Sequence, residues 1–98
     1  MRRVVVRYRV RPDRVEENAR LVRAVYEELA AVQPEGLRYA TVKLDDGVTF
    51  VHVAVHETEN PLPGLASFRA FTEGVAERCD EPPVVSTAEL VGSYRLLE

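Results

Sequence analysis

A single-domain α+β fold is predicted for residues 1–98, its elements running β-α-β-β-α-β. Three observations lead there. Runs rich in β-branched and aromatic residues occur near both ends of the chain and in its middle. Two segments between those runs repeat apolar residues at helical spacing. Asp46-Gly47 separates two adjacent strand-like runs, the mark of a hairpin. Crossovers between parallel strands are right-handed and hairpin strands are neighbours, which favours a four-stranded antiparallel sheet in the order 4-1-3-2 with both helices on one face.

Each element has its own reason. "VVVRYRV", residues 4–10, reads as a strand, and Pro12-Asp13 stops it and can start a helix. Val15, Ala19, Val22, Tyr26 and Leu29 then form one apolar helical face, with most of the charged residues elsewhere. "QPEG", residues 33–36, ends that helix. "LRYATVKL" and "VTFVHVAVHE" are the hairpin strands. "TENPLPG" is a loop by its two prolines and its glycine. Leu65, Phe68, Phe71, Val75 and Cys79 predict a second helix from about Gly64 to Cys79, broken by "DEPP". "VVSTAELVGSYRLL" closes the chain as the last strand, with a bend expected near Gly92.

An even-numbered hairpin turn puts Tyr39, Thr41 and Lys43 on one face with Phe50, His52 and Ala54. Ala40, Val42 and Leu44 then share the other with Val51, Val53 and Val55. The uniformly aliphatic set is the expected helix-facing core, together with Val4, Val6, Tyr8 and Val10 of the first strand and Leu90 and Tyr94 of the last. That leaves His52 on the open face. A strand apolar on both sides is usually covered on both sides, and the chain offers no third layer. A second copy of the same sheet is the simplest cover, so a homodimer joined through the open sheet faces is expected.

Composition narrows the function classes. A net charge of −3, 46% apolar and 30% charged residues describe a globular protein with no reason to bind nucleic acid. Arg2, Arg3, Arg7, Arg9, Arg11 and Arg14 crowd the start of the chain, while seven acids lie within residues 57–89; the two sets are expected to pair across the sheet or a subunit boundary. Cys79 is the sole cysteine, which excludes an intrachain disulfide and a Cys-rich zinc site. The N-terminal valine run breaks at Arg7, too early for a signal peptide or a membrane span, so a cytoplasmic location is expected.

His52 and His56, four apart, have a spacing that chelates metal on a helix. On a strand the same two rings start about 13 Å apart, too far to share one ion within a monomer. His52 alone is a candidate general base, since an ordinary imidazole titrates near neutral pH; the competing role is a hydrogen-bonded interface histidine. His56, near the strand end, is expected to be solvated. Tyr8, Tyr26, Tyr94, Phe68 and Phe71 are candidates to line an aromatic pocket between helices and sheet, or plain core, and buried tyrosine hydroxyls there would need polar partners. Asn60, ahead of the second helix, can hold a ligand oxygen or cap a turn. No phosphate-binding glycine loop, nucleophile elbow or other cofactor motif occurs.

The stretches "VVVRYRVRPDRVEE", "PEGLRYATVKLDDGVTFVHVAVHE" and "FRAFTEGVAERCDEPPVV" resemble the dimeric α/β-barrel superfamily, and within it the antibiotic-biosynthesis-monooxygenase-like domains. The resemblance implies a ferredoxin-like monomer and a dimer through the open sheet face, acting as a small enzyme on, or a binder of, aromatic, quinone-like, polyketide or haem ligands; the alternative is a non-catalytic binding or purely structural dimeric domain. For some members it implies oxygenation without metal or flavin, the deprotonated substrate itself reducing oxygen. The chain departs from the family pattern at Ala54-Val55-His56 and at Ser67 before Phe68. It has no tryptophan, so the Asn-Trp-His set of haem-degrading members is absent.

Overall fold

The structure, a computed structural model, describes residues 1–96. Strands β1 (Arg2–Val10), β2 (Leu37–Lys43), β3 (Thr49–His56) and β4 (Cys79–Thr87) form one antiparallel sheet in the order β2-β3-β1-β4, the predicted order read from its other edge. Helix α1 (Val15–Val32) and two short helices, α2 (Ala66–Thr72) and α3 (Val75–Arg78), cover one face. This is the ferredoxin-like α+β fold.

Local chemistry explains most of the boundaries. Pro12 opens a short 3-10 turn ahead of α1, where its missing N–H costs nothing. Gln33 ends α1 in the left-handed conformation, its amide returning to the Leu29 carbonyl at 2.8 Å. In the hairpin, Asp46 accepts the amides of Val48 and Thr49 at 2.9 Å each and the Thr49 hydroxyl at 2.5 Å. Gly47 supplies the positive φ of 79°. These bonds favour the charged carboxylate and hold the Asp46 pKa down at about 2.

Three expectations are corrected. The hairpin parity is as predicted, Thr41 lying opposite His52 and Tyr39 opposite Ala54, but the faces are exchanged. β3 pairs with β1 so that His52 faces Val6 and Phe50 faces Tyr8. Those β1 residues lie against the helices, so Phe50, His52 and Ala54 do too, and the aliphatic set Val42, Val51 and Val53 turns outward. Burying the mixed set brings the aromatic rings into the core while their polar tips bond to one another.

The last strand also lies earlier than predicted. It begins at Cys79, opposite Val10, and runs through Pro82 and Pro83. As an edge strand with two register shifts against β1, it accepts prolines that an inner strand would not. Residues 88–96 are not strand; Leu90 lies near Arg3 and Val55 on the outer face, and Tyr94 is 76% exposed rather than core. The third correction is that the second helix is two. Gly74, at φ 78°, interrupts it between Thr72 and Val75, although the apolar spacing runs straight across the break.

The outer face carries half-buried Val5, Val51 and Val53 and exposed Val42 and Val84. Of the clustered arginines, Arg9 meets Glu81 at 3.3 Å and Arg14 meets Glu17 at 2.6 Å; the other four make no ion pair among the described residues. Both pairs are partly solvated, where such contacts contribute little. Among the described residues, no helix is long and apolar enough to cross a membrane.

Candidate functional site: a histidine between two tyrosines

β3 brings His52 to the centre of the helix-facing surface, with Tyr8 beyond it on β1 and Tyr39 and Thr41 on β2. The residue is 4% exposed and both ring nitrogens are engaged. Nε2 lies 2.7 Å from the Tyr8 hydroxyl; Nδ1 lies 2.6 Å from that of Tyr39 and 3.0 Å from Thr41 Oγ1. Thr41 in turn bonds the Tyr26 hydroxyl at 2.7 Å.

Behind Tyr8 the network continues into α1 and α3. Asn18, fully buried, donates from Nδ2 to the Tyr8 oxygen at 3.0 Å. Its Oδ1 accepts from Arg78 Nε at 3.2 Å. Arg78, 2% exposed, also donates to the carbonyls of Phe71 at 2.7 Å and Glu73 at 3.3 Å, and its guanidinium lies 5.6 Å from the centre of the Phe71 ring. No carboxylate forms an ion pair with it among the described residues. No buried side-chain nitrogen or oxygen among them lacks a hydrogen-bond partner.

Burial sets the protonation states. Desolvation lowers the His52 pKa to about 4, so the imidazole is neutral at pH 7. It raises those of Tyr8, Tyr39 and Tyr26, so all three hydroxyls keep their protons. The site is therefore an uncharged chain of donors and acceptors with one buried cation at its far end.

A cavity of about 290 Å³ opens over this chain. Tyr8, Tyr39, His52 and Val6 come from the sheet; Leu62, Phe68, Phe71 and Val75 form the opposite wall, with Asn60 at the rim. Phe71 lies 5.3 Å from the His52 ring and 6.0 Å from the Tyr8 ring, centre to centre. Mostly apolar walls with a few convergent polar groups are the usual make-up of a small-molecule site. The larger clefts on the surface are more open and more polar and lack that combination.

Of the residues singled out from sequence, Tyr8, His52, Asn60, Phe68 and Phe71 meet at this cavity. Tyr26 stands one layer behind, stacked on Tyr39 with centres 5.2 Å apart. Tyr94 does not join them. Asn60 also caps its own loop, accepting the Leu62 amide at 3.1 Å. His56 is buried rather than solvated and donates from Nδ1 to the Thr58 carbonyl at 2.8 Å. No group of three or more His, Cys, Asp or Glu among the described residues is arranged to hold a metal ion.

Sequence reasoning missed Tyr39, Thr41, Asn18 and Arg78. The hairpin pairing already placed Tyr39 and Thr41 beside His52. Asn18 is a polar residue three after Val15 and four before Val22, inside an apolar helical stripe, and that intrusion was the available signal.

No protein-family model matches the chain, and no curated protein matches it. Solved structures do. Rv0793 from Mycobacterium tuberculosis superposes with a TM-score of 0.74 at 20% identity, over 94% of this chain and 96% of that one. An antibiotic biosynthesis monooxygenase matches at 0.76 and 16%, over 94% and 100%. A Nitrosomonas europaea protein of unknown function matches at 0.73 and 16%, over 95% and 91%. At these identities the likeness is one of fold.

Proposed function

We propose, from a fold shared with antibiotic-biosynthesis-monooxygenase-like proteins, that this chain is a cytoplasmic, small-molecule-binding homodimer that oxygenates aromatic or quinone-like compounds without a cofactor. The observation that carries the reading is the apolar cavity floored by a neutral imidazole between two tyrosine hydroxyls. Phe68 and Phe71 suit a flat aromatic ring, and Tyr8 and Tyr39 suit its oxygen substituents. His52, uncharged at pH 7, carries the lone pair that would take a proton from an acidic ligand hydroxyl; burial by itself disfavours the imidazolium, so the ligand anion formed beside the ring has to offset that cost. The ligand anion then reduces dioxygen, while the walls limit water.

The expected result is oxygen consumption with a naphthohydroquinone above the protein-free rate, falling by about 10²–10⁴-fold in His52→Ala. Uptake equal to the protein-free rate would refute catalysis.

One observation favours a second reading, a non-catalytic binder. Both His52 nitrogens already have partners, so the ring has no idle lone pair. Saturable ligand binding without turnover is the result expected of it.

The dimer reading rests on the outward valines of the sheet and is tested separately. Native mass spectrometry at micromolar concentration is expected to give twice the chain mass. Val51→Glu, a charge placed on the outward side of the inner strand β3, is expected to shift the mass to that of one chain. A monomeric wild type would end the reading.

A further inference from the structure

The hydrogen-bond chain through the site has a direction. Arginine only donates, so Arg78 Nε fixes the Asn18 atom it meets as the carbonyl oxygen. The other amide atom is then the NH₂ group, which donates to the Tyr8 oxygen. Tyr8, already accepting from Asn18, has one proton to donate, and His52 Nε2 at 2.7 Å is the acceptor within its reach. A neutral imidazole that accepts at Nε2 carries its hydrogen on Nδ1, facing the oxygens of Tyr39 and Thr41.

We propose that Arg78 and Asn18 are positioning residues that lock His52 in the Nδ1–H tautomer, keeping its basic lone pair beneath the Tyr8 hydroxyl at the cavity floor. Neither residue lines the cavity; both act through Tyr8. Burial is what makes the lock effective. Asn18 and Arg78 are sealed from water, so no solvent molecule competes for either end of the amide.

The consequence for a ligand rests on the binding reading above. A ligand hydroxyl placed against Tyr8 gives its proton to the Tyr8 oxygen as the original Tyr8 proton passes to Nε2. One O–H bond breaks on the ligand and one forms on Tyr8. The old Tyr8 O–H bond breaks and an N–H bond forms on the imidazole. The ligand is left as an anion and His52 as an imidazolium, with Nδ1–H still bonded to its β2 partners. The opposite tautomer would have no lone pair facing Tyr8, and the relay would be blocked.

The tautomer is measured on the ligand-free protein by imidazole ¹⁵N NMR, the His56 signals being identified by their loss in His56→Gln. For wild type, the Nδ1–H form is expected to exceed the other by about tenfold or more. Asn18→Asp is the decisive variant. A carboxylate has no proton to offer, so Tyr8 turns to donate to it, and His52 must donate from Nε2. The tautomer is expected to invert. A residue of merely structural importance would lower stability without moving the tautomer.

If Asn18→Asp does not fold, Arg78→Gln serves instead. Glutamine offers an acceptor as well as a donor, so both tautomers are expected to appear. A wild-type Nε2–H ring, or a variant tautomer equal to wild type, would overturn the proposal. Ligand binding plays no part in this readout, so failure of the functional reading and failure of the lock are told apart.

Discussion

Lowering the pH from 6.5 to 4 is expected to remove about 3 kcal/mol of folding stability through His52 alone, as read by urea unfolding across that range. The direction follows from the protons bound. Burial lowers the folded pKa from 6.5 to about 4, so between those values the unfolded chain holds a proton that the folded chain refuses. Stability is therefore full above pH 6.5, declines as the pH falls, and is lost once the pH is below about 4. Asp46, held at about 2, and Glu17 and Glu28, both lowered by hydrogen bonds, make their losses from the ordinary carboxylate range downward. Above the ordinary carboxylate range the decline thus belongs to His52. In His52→Gln the decline between 6.5 and 4 should flatten, while the acid limb stays. An unchanged slope in that variant would show that the ring is not buried and neutral.

Asn18→Ala is expected to cost about 3 kcal/mol, measured by the same unfolding experiment. Three losses combine. Arg78 keeps its charge but loses the acceptor at Nε; the Tyr8 oxygen loses a donor; and a small void opens between α1 and the sheet. The first is the largest, since a buried cation with fewer acceptors is the most destabilising group left behind. A double variant, Asn18→Ala with Arg78→Met, should cost clearly less than the sum of the two single changes, because removing both ends leaves no unmet pair. Simple additivity would mean that the two residues contribute independently and that the Arg78 charge is already satisfied by the Phe71 and Glu73 carbonyls.

What the sequence revealed and what it hid divide along one line. Local signals were legible. Pro12, Asp46-Gly47 and the α1 stripe each act within a few residues, and the element order follows from them. The even hairpin parity was likewise readable, and with it the neighbourhood of His52, Tyr39 and Thr41. The choice of which hairpin face meets the helices was not. It depends on β1 pairing with β3 across more than forty residues, and hydrophobicity alone pointed the wrong way, toward the all-aliphatic face. A face of Phe, His, Ala, Tyr, Thr and Lys is a good interior only when its polar tips meet one another, and those meetings are tertiary. The β4 start was hidden for a similar reason: "DEPP" reads as a break until an edge position makes prolines acceptable. Tyr94, placed in the pocket by extending that strand too far, falls with the same error.

The split at Gly74 bears on how this site can change over generations. The proton-handling groups sit on the sheet, where the ladders to β3 fix the backbone at Tyr8 and Tyr39, and His52 is held from both sides. The facing wall comes from a loop, a seven-residue helix and a four-residue helix, none long enough to hold its shape except by packing. Substitutions at Leu62, Phe68 or Val75 can thus reshape the space above His52 without touching the strands beneath it. On the function proposed above, chemistry and selectivity are inherited on separate pieces of chain, and a lineage can trade one ligand for another while leaving the imidazole and its two tyrosines where they are.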